Sequence, residues 1–262
     1  MTDERLSRIR WYDAEQALAR LRRRPSDQRI LWLLARLPLV PEPVLEQLSG
    51  LRNRDGVYLS FARLQADGLI DAIHPSVVPG RSPRLPYLTD LGLAVAALER
   101  GIEPEALARR HGLRGSDLLG LLPGLPQLLA GYGLLGVLAA SRPGRPNLLA
   151  WEWPWRRSAQ RPTAKVPSAV RLPAAAALAW KDAAGAFLLL PDLVTFPVRA
   201  YRPTLAHLFL LRGDYGRALP PLLIATQHPG RIAAWERLLE ETGRAGRAAP
   251  LRAYVATWAE LQ

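Results

Sequence analysis

The sequence predicts an α+β fold whose first half is helical and whose second half carries a buried sheet. Between positions 26 and 98, apolar residues repeat at spacings of three and four, the period of helices buried along one side. Between positions 169 and 226 they cluster in runs of strand length separated by turn residues. The chain of 262 residues is long enough for two modest domains, each with its own core.

Residues 1–25 read as a basic amphipathic helix, with Leu6, Ile9, Ala17, Leu18 and Leu21 among charges. The run Arg22, Arg23, Arg24 makes a solvated helix end, and Pro25 closes it. Ser26 or Asp27 then caps RILWLLARL, with Ile30, Leu31, Leu34 and Leu37 inward and Pro38 as the stop. Pro41 to Leu48 forms a second helix, with Gly50 as its C-terminal cap. A third covers Asp55 to Ala66, burying Val57, Phe61 and Leu64. Gly68 ends it, and two extended segments, LIDAIHP and LPYLT, flank the loop PGRSPR. A helix from Thr89 or Asp90 to Leu98 packs behind. Helix, helix, helix, strand, basic loop, strand is the order of a winged helix-turn-helix, placed here at residues 26–100.

Residues 101–141 read as a helical hairpin. Leu118 to Ser141 carries no charge and is long enough to span a membrane, but Pro123, Pro126 and five glycines divide it. A buried hairpin, or a face for protein partners or self-association, is the expectation, and a membrane is not. Residues 142–168 mix Pro, Trp and Arg with little periodicity and read as a linker, with Trp151, Trp153 and Trp155 stapling it to a core. Residues 169–262 contain the runs AVRLPAAAALAW, AFLLLPDLVTF, LAHLFLL and PLLIAT, of strand length, with AAAALAW equally compatible with a helix. A helix from Ile232 to Glu241 follows His228-Pro229-Gly230. Together these predict a C-terminal α/β domain.

The net charge of +12 is carried almost wholly by arginine, since Lys165 and Lys181 are the only lysines. Such a balance suits polyanions, of which nucleic acid is the commonest. The accompanying richness in Ala, Leu and Pro is also what GC-rich coding produces. The absence of cysteine excludes disulfides, thiolate catalysis and cysteine zinc sites. The N-terminus lacks the apolar stretch of a signal peptide, so a cytoplasmic location is expected.

In a winged helix-turn-helix the third helix enters the major groove with its N-terminal, outward residues. These are Arg52, Asn53 and Arg54 at its start and Tyr58, Ser60 and Arg63 along it, with Arg81 and Arg84 on the wing. Arginine pairs with guanine and asparagine with adenine, while Tyr58 and Ser60 suit phosphates. Duplex DNA is therefore the expected partner.

The string RLQADGLIDAI, followed by a wing and YLTDLGLAVAAL, resembles the winged-helix domain of the replication-relaxation family. Tyr87, Leu88, Thr89 and Gly92 sit on its Tyr-x-Leu-Thr-x-x-Gly pattern. The family also resembles a shortened restriction-endonuclease-like fold, and Pro173 in RLPAAAAL, then LFLLRGDYG, then LLIATQHPGRIAAWERLLEE follow its order loosely. The resemblance implies a role with plasmid or mobile-element DNA, in replication, mobilisation or regulation. It also implies a degenerate nuclease domain, because Ala174 follows Pro173, and Leu210 and Leu211 precede the Arg-Gly turn where acids belong.

A register using Asp192 and Asp214, read as strand-end acids, still lacks a lysine, since none follows Asp192. The four histidines, His74, His111, His207 and His228, show no metal-ligand spacing and read as surface or capping residues. The expectation is a non-catalytic DNA-binding protein with no cofactor and no metal. A protein-protein adaptor is the alternative, and a metal-dependent nuclease is the weakest reading.

Overall fold

The computed structural model of the chain describes residues 11–51, 54–75, 84–111, 113–140, 147–153, 155–158, 169–172, 174–180, 183–246 and 250–261. The fold is α+β and divides into two compact units, Met1–Leu125 and Pro126–Gln262.

The N-terminal unit opens with α1 (Trp11–Arg22), α2 (Pro25–Leu34), α3 (Glu42–Ser49) and α4 (Arg54–Ala66). The strands β1 (Ile70–Ile73) and β2 (Leu85–Leu88) follow and pair antiparallel, Ile70 opposite Leu88 and Ile73 opposite Leu85. Then come α5 (Asp90–Arg100), α6 (Pro104–His111) and α7 (Gly115–Leu119). The core holds Ile30, Leu31 and Leu34 of α2, Leu45 of α3, Val57, Phe61 and Leu64 of α4, and Leu69 and Leu85 beside the strands, all buried. Gly50 takes a left-handed φ of 64° after α3, a conformation glycine adopts without strain. Leu39 does so at φ 63° without that freedom, and its N–H donates to Pro86 Oat 2.9 Å, tying the link after α2 to β2.

Asp27 is not a helix cap. The N-cap position of α2 is Arg24, with Pro25 in the first helical turn, where its missing N–H costs nothing. The arginine run is likewise more than a solvated end. Arg22 pairs with Glu99 of α5 at 2.8 Å, and Arg24 pairs with Asp67 beyond α4 at 2.9 Å.

A tight junction joins β1, β2 and α5. Thr89 is the N-cap of α5, its Oγ1 accepting from Gly92 N–H at 3.1 Å. The same hydroxyl donates to Gly68 O at 2.6 Å, and Thr89 N–H donates to Leu69 O at 3.1 Å. The helix can approach this closely because residue 92 is glycine, since a Cβ there would lie 1.9 Å from Leu69 O. Tyr87 OH adds a 3.2 Å bond to Asp71 across the strand pair.

The C-terminal unit begins within the apolar stretch. Residues 117–139 are long and apolar enough to cross a membrane by length and composition, with 44% of the most apolar window buried. A 3-10 turn at Leu122–Gly124, carrying Pro123, separates α7 from α8 (Leu125–Ala139). Next come β3 (Asn147–Glu152), β4 (Trp155–Ser158), β5 (Ala169–Leu172), β6 (Ala174–Trp180) and β7 (Ala183–Asp192). After these follow α9 (Arg202–Tyr215), β8 (Leu222–Thr226), α10 (Ile232–Gly246), β9 (Ala253–Thr257) and α11 (Trp258–Leu261). The main sheet has five strands in the order β3-β6-β7-β8-β9, and β4 and β5 form a separate antiparallel pair. The β3–β6 and β6–β7 pairs are antiparallel, whereas β7–β8 and β8–β9 are parallel, the parallel neighbours being joined through α9 and α10. Every residue of β8 is buried, which is why LLIAT reads as an uninterrupted apolar run.

Three sequence readings change here. LAHLFLL and the following RGDY are not a strand but lie in α9, with Leu205, Leu208 and Leu211 packed into the core beside Trp235 and Ile224. Asp214 is therefore a helix residue and not a strand-end acid. The stretch read as a linker contains β3, a member of the main sheet, and Trp153 is buried against the Tyr132 ring at 4.5 Å.

His207 is not a surface residue. It is buried on α9, and its Nε2 finds no hydrogen-bond partner among the described residues. Burial holds its pKa below the ordinary 6.5, so the unfolded chain binds the proton more readily than the folded one. The expected result is a thermal midpoint that is highest above pH 6.5 and falls by a few degrees as pH drops below it. In His207→Gln this slope between about pH 7.5 and 5.5 flattens. A wild-type midpoint independent of pH in that window counts against it.

Candidate nucleic-acid interface

The apolar spacing Val57, Phe61, Leu64 that drives α4 into the core also sets which side chains face out. Tyr58 and Leu59 are the large outward residues, 60% and 52% exposed, with Asp55 and Ala62 on the same side. Arg54 begins the helix. Arg52, Asn53 and Arg81 lie outside the described residues.

The other predicted contact residues face the protein. Ser60 is fully buried, three residues beyond Val57 and so on the core side, where no phosphate reaches it. Arg63 turns back to Asp27 of α2, its Nε donating to Oδ2 at 3.0 Å and its Nη2 to Oδ1 at 2.7 Å. Asp27 is fully buried while the Arg63 side chain is 46% exposed, so the pair forms a lateral tie between α2 and α4 with one wet edge. Arg84 sits over the Phe61 ring at 5.6 Å, donates to Gln65 and lies 4.0 Å from Glu42. It therefore joins the start of β2 to α3 and α4. Sequence reasoning missed Asp27 because its partner is 36 positions away. It missed Leu59 because an exposed leucine carries no signal of its own.

The C-terminal unit gathers polar groups where parallel strands end, the usual place for ligands in open α/β sheets. Asp192, Thr226 and Thr257 stand in register as the last residues of β7, β8 and β9. Each is engaged from within. Both Asp192 oxygens accept from Arg231, at 2.7 Å each, and Arg231 also donates to Phe196 O at 2.7 Å. Burial pushes the Asp192 carboxyl up, yet the bonds from Arg231 and smaller contributions from Trp235 and Thr226 hold it below the ordinary range. Thr226 Oγ1 accepts from His228 N–H at 3.2 Å, and Thr257 shares a reciprocal cap with Glu260. Tyr201 stacks on Trp235 at 4.9 Å and its hydroxyl accepts from Leu193 N–H at 3.0 Å. Burial, first of all, raises the Tyr201 phenol, so it stays protonated. This centre fixes the turn after β8 and holds an ionised, neutralised carboxylate.

Compared with known proteins, the chain matches no family model, no curated sequence and no solved structure. What it can do is read from its own residues. Charge is divided unevenly: Met1–Leu125 carries 18 arginines against 15 acidic residues, and Pro126–Gln262 carries 17 basic residues against 8 acidic. The outward residues Asp55, Tyr58, Leu59 and Ala62 of α4 include one acid and no base.

Proposed function

We propose that the chain is a non-catalytic DNA-binding protein whose N-terminal unit is a winged helix-turn-helix that presents α4 to duplex DNA. The observation that carries this reading is the outward side of α4. Its inner side is fixed to α2 by the Asp27–Arg63 pair, which leaves Tyr58, Leu59 and Ala62 outward beyond a start rich in Arg and Asn. Tyr58 suits a phosphate, Leu59 and Ala62 suit thymine methyl groups, and Arg54 suits a guanine edge. The C-terminal unit is read as a scaffold related to nuclease-like folds, because its buried strand-end carboxylate Asp192 is occupied by Arg231. The resemblance of residues 63–98 to the replication-relaxation family supports a role as an accessory or regulatory factor of plasmid or mobile-element DNA in the cytoplasm.

The test is duplex binding by fluorescence anisotropy at two salt concentrations. Tyr58→Ala, which removes an exposed ring and no core contact, is expected to weaken binding roughly tenfold with an unchanged melting temperature. Wild-type affinity in both Tyr58→Ala and Arg54→Ala would take the contact away from α4.

The exposed pair Tyr58 and Leu59 also favours a second reading, in which this face receives a protein partner as part of a larger assembly. That reading gains if the chain shows no salt-dependent duplex affinity and a partner's binding is lost in Leu59→Ala.

A further inference from the structure

A second charged feature lies on the outer side of α2, away from α4. Arg29, Trp32 and Leu33 of α2, Arg36 just beyond its end, and Glu99 and Arg100 of α5 line a cleft of about 240 Å³. Three of its six lining residues are arginines. The single acid, Glu99, already accepts from Arg22 at 2.8 Å and from Gln28 at 3.2 Å. The cleft therefore holds a surplus of positive charge, and Arg110 of α6 adds to the same field.

Partial burial, and then their mutual repulsion and that of Arg110, lower the proton affinity of Arg36. Burial followed by Arg110 does the same to Arg100. Both guanidinium groups remain charged at neutral pH, so the repulsion persists as an electrostatic stress that an anion relieves. Arg100 lies over the Trp32 ring at 5.8 Å, a cation–π contact that places its charge at the wall of the cleft. Arg29 is positioned by one bond, from Nη1 to Ser49 O at 2.7 Å, and a guanidinium has five donors.

We propose that this cleft binds a phosphate group, held by the guanidinium groups of Arg29 and Arg100 in the positive field of Arg36 and Arg110, against the wall formed by Trp32. A phosphate monoester, close to doubly charged, matches the surplus and offers three oxygens to the N–H donors of the lining arginines. A volume of about 240 Å³ accommodates a phosphate group, with any remainder of the molecule that carries it lying outside the cleft. The group comes either from free phosphate or from the phosphorylated end of a nucleic-acid strand. No residue of α4 lines the cleft, so this site stands or falls apart from the duplex-binding reading.

The experiment is calorimetric titration of the full chain with inorganic phosphate at constant ionic strength, together with melting temperatures in phosphate and in chloride. Saturable heat is expected, with a melting temperature that rises with phosphate and levels off. Arg100→Gln, which removes one of the repelling charges, is expected to weaken binding at least tenfold while the melting temperature in chloride stays within a few degrees of wild type. Arg100→Lys, which keeps the charge and loses the fork, is expected to lose about half of that effect on a logarithmic scale. Wild-type preference for a 5′-phosphorylated over a 5′-hydroxyl oligonucleotide assigns the group to a strand end, and phosphate binding without that preference assigns it to free phosphate. Absence of heat and of any rise in melting temperature, or undiminished binding in both Arg100 variants, overturns the proposal.

Discussion

Gly92→Ala is expected to destabilise the N-terminal unit by at least about 3 kcal/mol, the upper end of what overpacking usually costs. The new Cβ would lie 1.9 Å from the carbonyl oxygen of Leu69, with the Leu69 carbonyl carbon at 2.9 Å. The obstacle is backbone and cannot rotate aside. Relief requires α5 to withdraw, which breaks the bonds from Thr89 to Gly68 and Leu69. Urea unfolding measures the loss. Gly92→Ser is expected to repeat it, because the fault lies in the volume at Cβ. Gly124→Ala, where a Cβ would meet nothing within 4 Å, is expected to stay within about 0.5 kcal/mol of wild type. A Gly92→Ala protein as stable as wild type would mean that α5 does not pack as described.

The second large effect is expected from Arg63→Ala, at about 3 kcal/mol, the lower end for breaking a buried ion pair. The lower end applies because Arg63 is half in water and Arg24 stands 3.6 Å from the stranded Asp27. Asp27→Leu combined with Arg63→Leu is expected to recover most of the stability, since no buried charge is left without its partner. A double-mutant cycle by denaturant unfolding gives the coupling, and a coupling near zero would show that the bidentate geometry contributes nothing. This matters for function as well. Loss of DNA affinity in Arg63→Ala reports damage to the fold, whereas loss in Tyr58→Ala reports the surface.

Local periodicity made the N-terminal unit legible. The spacing of Val57, Phe61 and Leu64 fixed α4 and its buried side, and the same spacing already places Ser60 inward, a consequence that its polar character obscured. The Asp27–Arg63 and Arg24–Asp67 pairs join residues far apart in the chain, and no pattern within a window reveals them. In the C-terminal unit the all-apolar β8 was readable, but α9 was mistaken for a strand because LAHLFLL is apolar on nearly every side. Arg202 and Pro203 at its first turn were the available helix signal. β3 was hidden because an Asn-Leu-Leu-Ala-Trp-Glu strand between prolines resembles a loop until its partner β6 is known.

The tie between α2 and α4 also governs what ionic strength does to the protein. Contacts between a basic surface and phosphates weaken steeply as salt releases the incentive of counterion displacement. A carboxylate shielded from solvent and gripped at both oxygens lies largely beyond the reach of mobile ions. The Asp27–Arg63 tie is therefore expected to hold α4 against α2 at salt concentrations that would release a polyanion, so that, on the proposed DNA-binding reading, dissociation leaves the helix assembled for the next encounter.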